Sequence, residues 1–371
     1  MIQPGKNEAV FVTRSRLPSF EEYGERLKDI FASGWLTNDG QCVRQLEKTI
    51  SEYLGCPHVI ACNNGTTALM LALHCAGLRG KKVAVTPYTY VATLSALLWL
   101  SCEPVFVDID PNTLCLSPEK LEEAFKSHPD IEGVLPVHIY GLACDHDAIN
   151  GICHNHGAKL IYDGAQAFGS RYQGRSLLDY GDFAICSFHA TKIFHTVEGG
   201  LVVAHSAEAR KQLALARAFG HFGDTHCTLG INAKMSELHA AMGLCILPGT
   251  ADEIAKRKQI HALYNDVLAC LPLVRPQARP NLDWNHAYYP VLLPAEATLH
   301  RAIKALAQNN IHPRRYFFPA LTTLPYVQQW HIPCPEAEDI AQRVLCLPIH
   351  GELDEATITG IANIIGSTIE E

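Results

Sequence analysis

A chain of 371 residues, 48% apolar and 18% charged, is long enough to bury a sizeable core and points to a large domain joined to a smaller one. A formal net charge of −8 argues against nucleic acid or an acidic membrane as a main partner, no apolar run reaches spanning length, and Glu8, Arg14 and Arg16 interrupt any early run that could act as a secretory signal. Fourteen cysteines without a Cys-x-x-Cys pair read as buried free thiols of a reducing cytoplasm, and nineteen histidines without a metal-site spacing imply no metal.

Ser19, followed by Glu21 and Glu22, predicts a helix running to residue 33. Residues 34–40 are turn-rich, with Trp35 placed to anchor a loop, and Val43, Leu46, Ile50 and Leu54 set an amphipathic helix stopped by Gly55. A short strand at 59–62 leads through Asn63-Asn64-Gly65-Thr66-Thr67 into an apolar helix over 68–77. Free N–H groups, the helix dipole and two hydroxyls there make an anion site, although plain capping needs only one such residue. A strand at 83–85 ends in Thr86-Pro87-Tyr88-Thr89-Tyr90, whose tyrosines could offer a stacking face to a flat cofactor or simply pack a core.

Strands at 104–108, 133–137 and 159–162 follow, separated by helices over 117–127 and 145–156, and the last runs into Asp163-Gly164-Ala165-Gln166. This β-α alternation predicts an α/β fold with a mainly parallel, doubly wound sheet, in which ligands sit at the strands' carboxyl ends. Thr66, Thr67, Tyr90, His138, Asp163, Ser187 and Lys192 all fall at that edge. An apolar run ending at Ser187 and another starting at Leu201 enclose a polar loop with Lys192, flanked by His189 and His195 and closed by Glu198-Gly199-Gly200. A Schiff-base lysine would sit there. Beyond it lie a charged helix to 219, a polar loop at 220–230 read as mobile, helices over 232–247 and 251–268, and a domain break near Gly249. The remainder (strand 288–293, helix 298–309, the stretch Arg314-Arg315-Tyr316-Phe317-Phe318, a helix from Asp354) suggests a small α+β domain, so the domains divide as 1–249 and 250–371.

Pyridoxal 5'-phosphate asks a protein for a lysine, an anion site, a carboxylate for its ring nitrogen and a face for its ring, and each has a candidate at this edge. The motifs Asn-Gly-Thr-Thr-Ala-Leu, Asp-Gly-Ala-Gln-Ala, Ser-Phe-His-Ala-Thr-Lys with Glu-Gly-Gly, and Gly-Ile-Asn-Ala-Lys-Met, in this order, resemble the sugar aminotransferases of the DegT/DnrJ/EryC1/StrS family over nearly the whole chain. The resemblance implies an aspartate aminotransferase-like fold (fold type I) whose large domain holds a mainly parallel seven-stranded sheet. It implies a homodimer with shared active sites that moves an amino group from L-glutamate to a nucleotide-linked keto sugar, through pyridoxamine phosphate. Carried over by position, Lys192 is the Schiff-base lysine, Asp163 the ring-nitrogen partner, Gln166 the neighbour of the ring hydroxyl and Tyr90 the stacking aromatic. Thr66, Thr67 and Ser187 match phosphate ligands, and Asn232 matches an asparagine reaching the phosphate in the other subunit.

The His-Ala-Thr-Lys form, Gly-Trp-Leu-Thr-Asn and Pro-Arg-Arg-Tyr-Phe look most like members that aminate C4 of dTDP-4-keto-6-deoxyglucose, in cell-surface (O-antigen) or secondary-metabolite amino sugar synthesis. Trp35, His189, His195, Arg314 and Tyr316 are candidates for the substrate pocket, and Arg14, Arg16, Arg315 and Lys234 for a diphosphate, against ordinary surface charge and packing. Amination at C3 is the alternative within the class. A family dehydratase would carry histidine at the lysine position, and a non-catalytic regulator on the same fold would be expected to have lost the site.

Overall fold

A computed structural model describes residues 9–370; Glu8 lies outside them. Seven strands form the central sheet: β1 (His58–Cys62), β2 (Lys82–Val85), β3 (Glu103–Phe106), β4 (Ile131–Leu135), β5 (Lys159–Asp163), β6 (Phe183–Ser187) and β7 (Gly200–Ala204). Their spatial order is β1-β7-β6-β5-β4-β2-β3, parallel throughout except for β7, which runs antiparallel to both β6 and β1. Most strand residues are buried, as expected where helices cover both faces, so the strands read as short apolar runs rather than alternations.

Local chemistry sets the helix limits. Ser19 caps α1 (Phe20–Ser33) by accepting the Glu22 N–H, and Gly34 closes it in the left-handed region at φ 65°. Helix α2 (Gln41–Leu54) starts at Gly40 with no cap of its own. The buried carboxylate of Glu237, from α8 (Glu237–Ile246), substitutes for one by accepting the N–H groups of Cys42 (2.7 Å) and Val43 (3.1 Å). A side chain at Gly40 would collide with that carboxylate. The α8 helix begins at Glu237, not at 232 as periodicity suggested, because Ser236 caps it and residues before it pair instead: Asn232 bridges Ala218, and Lys234 bridges Cys62.

Helix α9 (Thr250–Val267) leads to a second layer. There β8 (Tyr289–Leu292) and β9 (Val344–Leu347) pair antiparallel beneath α10 (Glu296–Gln308) and α12 (Glu355–Glu370). Tyr264, Val291, Leu299, Leu306, Leu345 and Ile361 form its core, while Tyr288, Phe317, Val344 and Cys346 bury into the main core. β9 and the helix Pro335–Arg343 escaped the sequence reading: the four-residue strand is a short apolar run, and the helix holds only three buried residues. Residues 220–230 carry a small hairpin, His221–Phe222 against Thr225–His226. At the start, Val10–Phe11 pairs parallel with Ile311–His312, so the N-terminal segment runs along the second layer. All fourteen cysteines are free; no helix among the described residues is long and apolar enough to cross a membrane, and none of their His, Cys, Asp and Glu groups has a metal-holding arrangement.

Candidate active site

At the carboxyl ends of β5 and β6 a cleft of about 290 Å³ opens toward the segment 314–317. Its floor begins with the turn from β1 into α3 (Gly65–Cys75). Asn64 caps α3 by accepting the Thr67 N–H at 2.8 Å, and the Thr67 hydroxyl turns to Asn63 and Asn64. The N–H groups of Gly65 and Thr66, first in the helix, have no helical partner and front the cleft. A Cβ on Gly65 would come within 3.0 Å of the Ser187 side chain, so glycine lets the helix start lie against the end of β6 without displacing Ser187. The Gly199-Gly200 pair serves the same packing: side chains there would strike Thr196 and the Asn64 carbonyl.

Asp163 ends β5 and is 3% exposed. Its carboxylate accepts the Ala165 N–H at 3.0 Å and the Thr93 hydroxyl at 2.7 Å, while the His138 N–H holds its carbonyl at 3.0 Å. Burial pushes the carboxyl above its ordinary value of 3.8, against the opposing pull of Ala165, Thr93 and Lys192. No cation pairs with it among the described residues, yet it faces the cleft, which suits a ligand bearing a cationic N–H. Lys192 stands in the turn after β6, its N–H on the His189 carbonyl. Its Nζ donates to the Tyr288 hydroxyl at 3.0 Å. Burial lowers this amine's pKa, but Tyr288, Cys186 and Asp163 raise it and prevail. Gln166 Oε1 accepts the Tyr140 N–H at 2.6 Å, leaving its NH₂ end for a ligand, and Tyr90, 59% exposed, presents its ring at the cleft wall.

The cleft thus brings together Thr66, Tyr90, Asp163, Gln166, Ser187 and Lys192, with His189, Arg314 and Tyr316 around them. It offers an amine, a cation-seeking carboxylate, an aromatic face and a helix start flanked by hydroxyls, the set that pyridoxal phosphate requires. Other sequence candidates lie elsewhere. Thr67 is spent on the cap. His195 is 1% exposed and outside the cleft lining, its Nε2 on the Arg16 carbonyl (2.7 Å) and its Nδ1 accepting the Val197 N–H, so it pins the N-terminal segment. Trp35, 56% exposed, borders a separate concavity between α1 and α2. Asn232 is exposed, with its Oδ1 on Lys234 Nζ at 2.6 Å. His138 is buried behind the edge, stacked on Tyr162 at 4.5 Å. Of the arginines read as diphosphate candidates, Arg14 pairs with Glu352, Arg16 donates to the Ile246 carbonyl and Arg315 pairs with Glu296. Thr93, Tyr288 and Phe317 are site residues that sequence reasoning missed. Thr93 lies one helical turn after Tyr90, a spacing that could have flagged it.

Residues 19–366 match the model of the DegT/DnrJ/EryC1/StrS aminotransferase family. The chain is 37% identical over 370 residues to the dTDP-4-amino-4,6-dideoxy-D-glucose transaminase of Shigella dysenteriae, covering 98% of each. It is 32% identical to the UDP-N-acetyl-3-dehydro-alpha-D-glucosamine 3-aminotransferase of Acidithiobacillus ferrooxidans, over 91% of this chain and 90% of that one. The crystal structure of DesI in the presence of its TDP-sugar product superposes with a TM-score of 0.91 at 33% identity, covering 98% of this chain and 94% of that one. The chain belongs to the DegT/DnrJ/EryC1/StrS family of pyridoxal phosphate-dependent aminotransferases, enzymes that act on nucleotide sugars.

Proposed function

We propose that this aminotransferase moves the amino group of L-glutamate to C4 of dTDP-4-keto-6-deoxyglucose, as a cytoplasmic homodimer with domains 1–249 and 250–371, in amino sugar synthesis for a cell-surface polysaccharide or a secondary metabolite. The observation that carries the chemistry is the placing of Lys192 and Asp163 on one cleft wall beside the start of α3. The choice of sugar rests on the 37% identity with a dTDP-4-amino-4,6-dideoxy-D-glucose transaminase over 98% of each chain.

Bound in the cleft, pyridoxal phosphate supplies an electron sink for charge on the carbon next to the transferred nitrogen. In this reading the Gly65 and Thr66 N–H groups and the Thr66 and Ser187 hydroxyls hold the phosphate, and Asn232 of the second subunit reaches it. The Asp163 carboxylate would accept the ring N–H and keep the ring cationic. Tyr90 would offer its face to the ring, and the Gln166 NH₂ would meet the ring hydroxyl. Lys192 Nζ would be the amine that holds the cofactor's carbonyl end, and as a free amine it would carry the proton removed from the donor's α-carbon. In the second half the same Nζ delivers a proton to the sugar carbon, so kinetics are ping-pong. Arg314, exposed at the cleft mouth with its guanidinium 5.8 Å from the centre of the Tyr316 ring, and His189 meet the substrate's anionic groups.

Amination at C3 is the second reading, favoured by the 32% identity to a UDP-sugar 3-aminotransferase. Incubation with L-glutamate and a panel of dTDP- and UDP-linked 4-keto and 3-keto sugars, with the products' structures determined, tests both. A C4 amine on the dTDP-sugar is expected; amination of only a 3-keto substrate overturns the C4 proposal. Lys192→Ala should abolish turnover and the absorbance of linked cofactor, and retention of full activity would remove Lys192 from the mechanism.

A further inference from the structure

We propose that Tyr288 is a catalytic residue of the amino transfer: its hydroxyl holds Lys192 Nζ whenever that amine is not linked to cofactor and steadies the charge the amine gains on taking the donor's α-proton. This rests on the reading of Lys192 as proton carrier. Tyr288 immediately precedes β8, comes from the far side of the cleft and is 5% exposed. Its Oη lies 3.0 Å from Nζ, and among the described residues no other hydrogen bond engages that hydroxyl. The ring is set between Tyr140 (centroids 5.6 Å apart, 53°) and Tyr316 (5.8 Å, 86°), which fixes its direction.

The backbone behind Tyr288 is equally fixed. Asn285, 1% exposed, donates from Nδ2 to the carbonyls of Gln166 (2.8 Å) and Phe168 (2.9 Å), and its Oδ1 accepts the Ala287 N–H at 3.1 Å. Tyr288 is thereby tied to the loop that follows Asp163, so the hydroxyl and the cofactor's carboxylate partner share one frame. A lysine side chain has four rotatable bonds, and a free amine that wandered among rotamers would meet the α-proton rarely. A fixed hydroxyl accepting one N–H narrows that search, and the neutral amine set free by the donor keeps its lone pair for the α-proton. In the transfer the donor's Cα–H bond breaks, the Nζ–H bond forms, and the electron pair left on carbon passes into the bound cofactor. The resulting ammonium keeps its N–H on Oη, now as a charge-assisted bond, and Tyr288 itself neither gains nor loses a proton. The second half-reaction returns the proton by the same route.

Y288F keeps the ring and removes only the hydroxyl. In rapid-mixing experiments on the pyridoxal phosphate-loaded enzyme with L-glutamate and α-deuterated L-glutamate, the variant should lose about tenfold to a hundredfold in the rate of the spectral change, with a larger deuterium isotope effect. Its melting temperature and cofactor affinity should stay at wild-type values, whereas Tyr288→Leu, which also removes the ring, should melt lower. Capture of added pyridoxal phosphate by cofactor-stripped Y288F at neutral pH should be faster, because the amine no longer shares a hydrogen with Oη. Wild-type rate, isotope effect and capture in Y288F would overturn the proposal, and so would a loss of rate matched by losses of cofactor affinity and melting temperature. Lys192→Ala run alongside separates the two readings: a dead K192A beside a normal Y288F removes only Tyr288, while an active K192A removes the proton-carrier reading beneath it.

Discussion

On the sheet side of the cleft, Asp163 and Ser187 end β5 and β6 and Thr66 stands in the first turn of α3. Each inherits its position from a ladder of strand hydrogen bonds or a capped helix. The facing wall, Tyr288, Arg314, Tyr316 and Phe317, comes from connecting segments, and aromatic packing holds it: Tyr140 lies 6.1 Å from Phe317 and 5.6 Å from Tyr288. The first wall can hold a group that must stay put through every turnover, since strand ends barely move. Tyr288 apart, the second is free to differ among enzymes with different sugars, because loops tolerate substitution that strands do not. In the proposed reading the sheet wall therefore belongs to the cofactor, and the aromatic wall, except for the Tyr288 hydroxyl on Lys192, to the substrate.

Asp163→Asn is the strongest test of that division among variants that keep the lysine. The amide cannot supply the negative charge that holds the ring N–H, and roughly a hundredfold to a thousandfold loss in kcat is expected, the span for removing one preorganised electrostatic partner. Substitution of Arg314 by Ala should act differently, raising KM for the nucleotide sugar while the rate of the glutamate half-reaction with saturating donor stays near wild type. If R314A slowed that half-reaction as much as D163N does, the walls would not divide the labour in this way. A smaller effect belongs to Thr93→Val, which removes the hydroxyl 2.7 Å from the Asp163 carboxylate while keeping the volume of the side chain. Loss of one hydrogen bond to a charged group should weaken cofactor binding by about tenfold, read as the pyridoxal phosphate concentration needed to restore absorbance.

Acid, by contrast, should strike both walls alike. Burial lowers His138, behind the sheet wall, from 6.5 to about 3, and His261, packed on Trp284 and His286 beneath the other wall, likewise to about 3. Both are therefore neutral in the fold and take up a proton only on unfolding. The stability this confers is fully present above 6.5 and is lost as pH falls from 6.5 toward 3, by about 1.4 kcal/mol per pH unit for each histidine. Urea melts between pH 6.5 and 5 should show it, and H138Q and H261Q should each flatten the slope by about one proton. An unchanged slope in one variant would place the acid-sensitive burial on the other wall alone.

The same division explains what could be read from sequence. The sheet wall was legible because a strand end followed by a turn residue is a local pattern: Asp163 after an apolar run, Lys192 before Gly199-Gly200, Thr66 before an apolar helix. Tyr288 carries no such mark, since its place in the cleft depends on Asn285 reaching back 119 residues to the Gln166 carbonyl. The start of α8 was misplaced for a similar reason. Residues 232–234 bridge to Ala218 and Cys62, pairings no helical periodicity can reveal. Glu237, first residue of α8, caps a helix 195 residues earlier in the chain, a contact no local pattern marks.

The loop that carries Lys192 holds the finest contrast, between two histidines that sequence treated alike. His189 lines the cleft, with Nδ1 on the Thr191 hydroxyl at 2.9 Å and Nε2 turned toward Glu198 at 3.7 Å. His195 faces away and joins the loop to Arg16, while Ser15 Oγ donates to the Ala190 carbonyl at 2.6 Å, so the N-terminal segment clasps the lysine turn from outside. His195→Ala would leave the Arg16 carbonyl and the Val197 N–H without their partner in a partly buried place, at a cost of about 1 kcal/mol of stability. Its effect on KM for the nucleotide sugar should be the smallest of all these variants, because nothing at the cleft surface changes. His189→Gln should do the reverse, moving KM and leaving the melting temperature in place. If H195A instead raised KM as H189Q does, the clasp would be part of the substrate pocket after all, and the boundary between cofactor wall and substrate wall would have to be redrawn through the lysine loop itself.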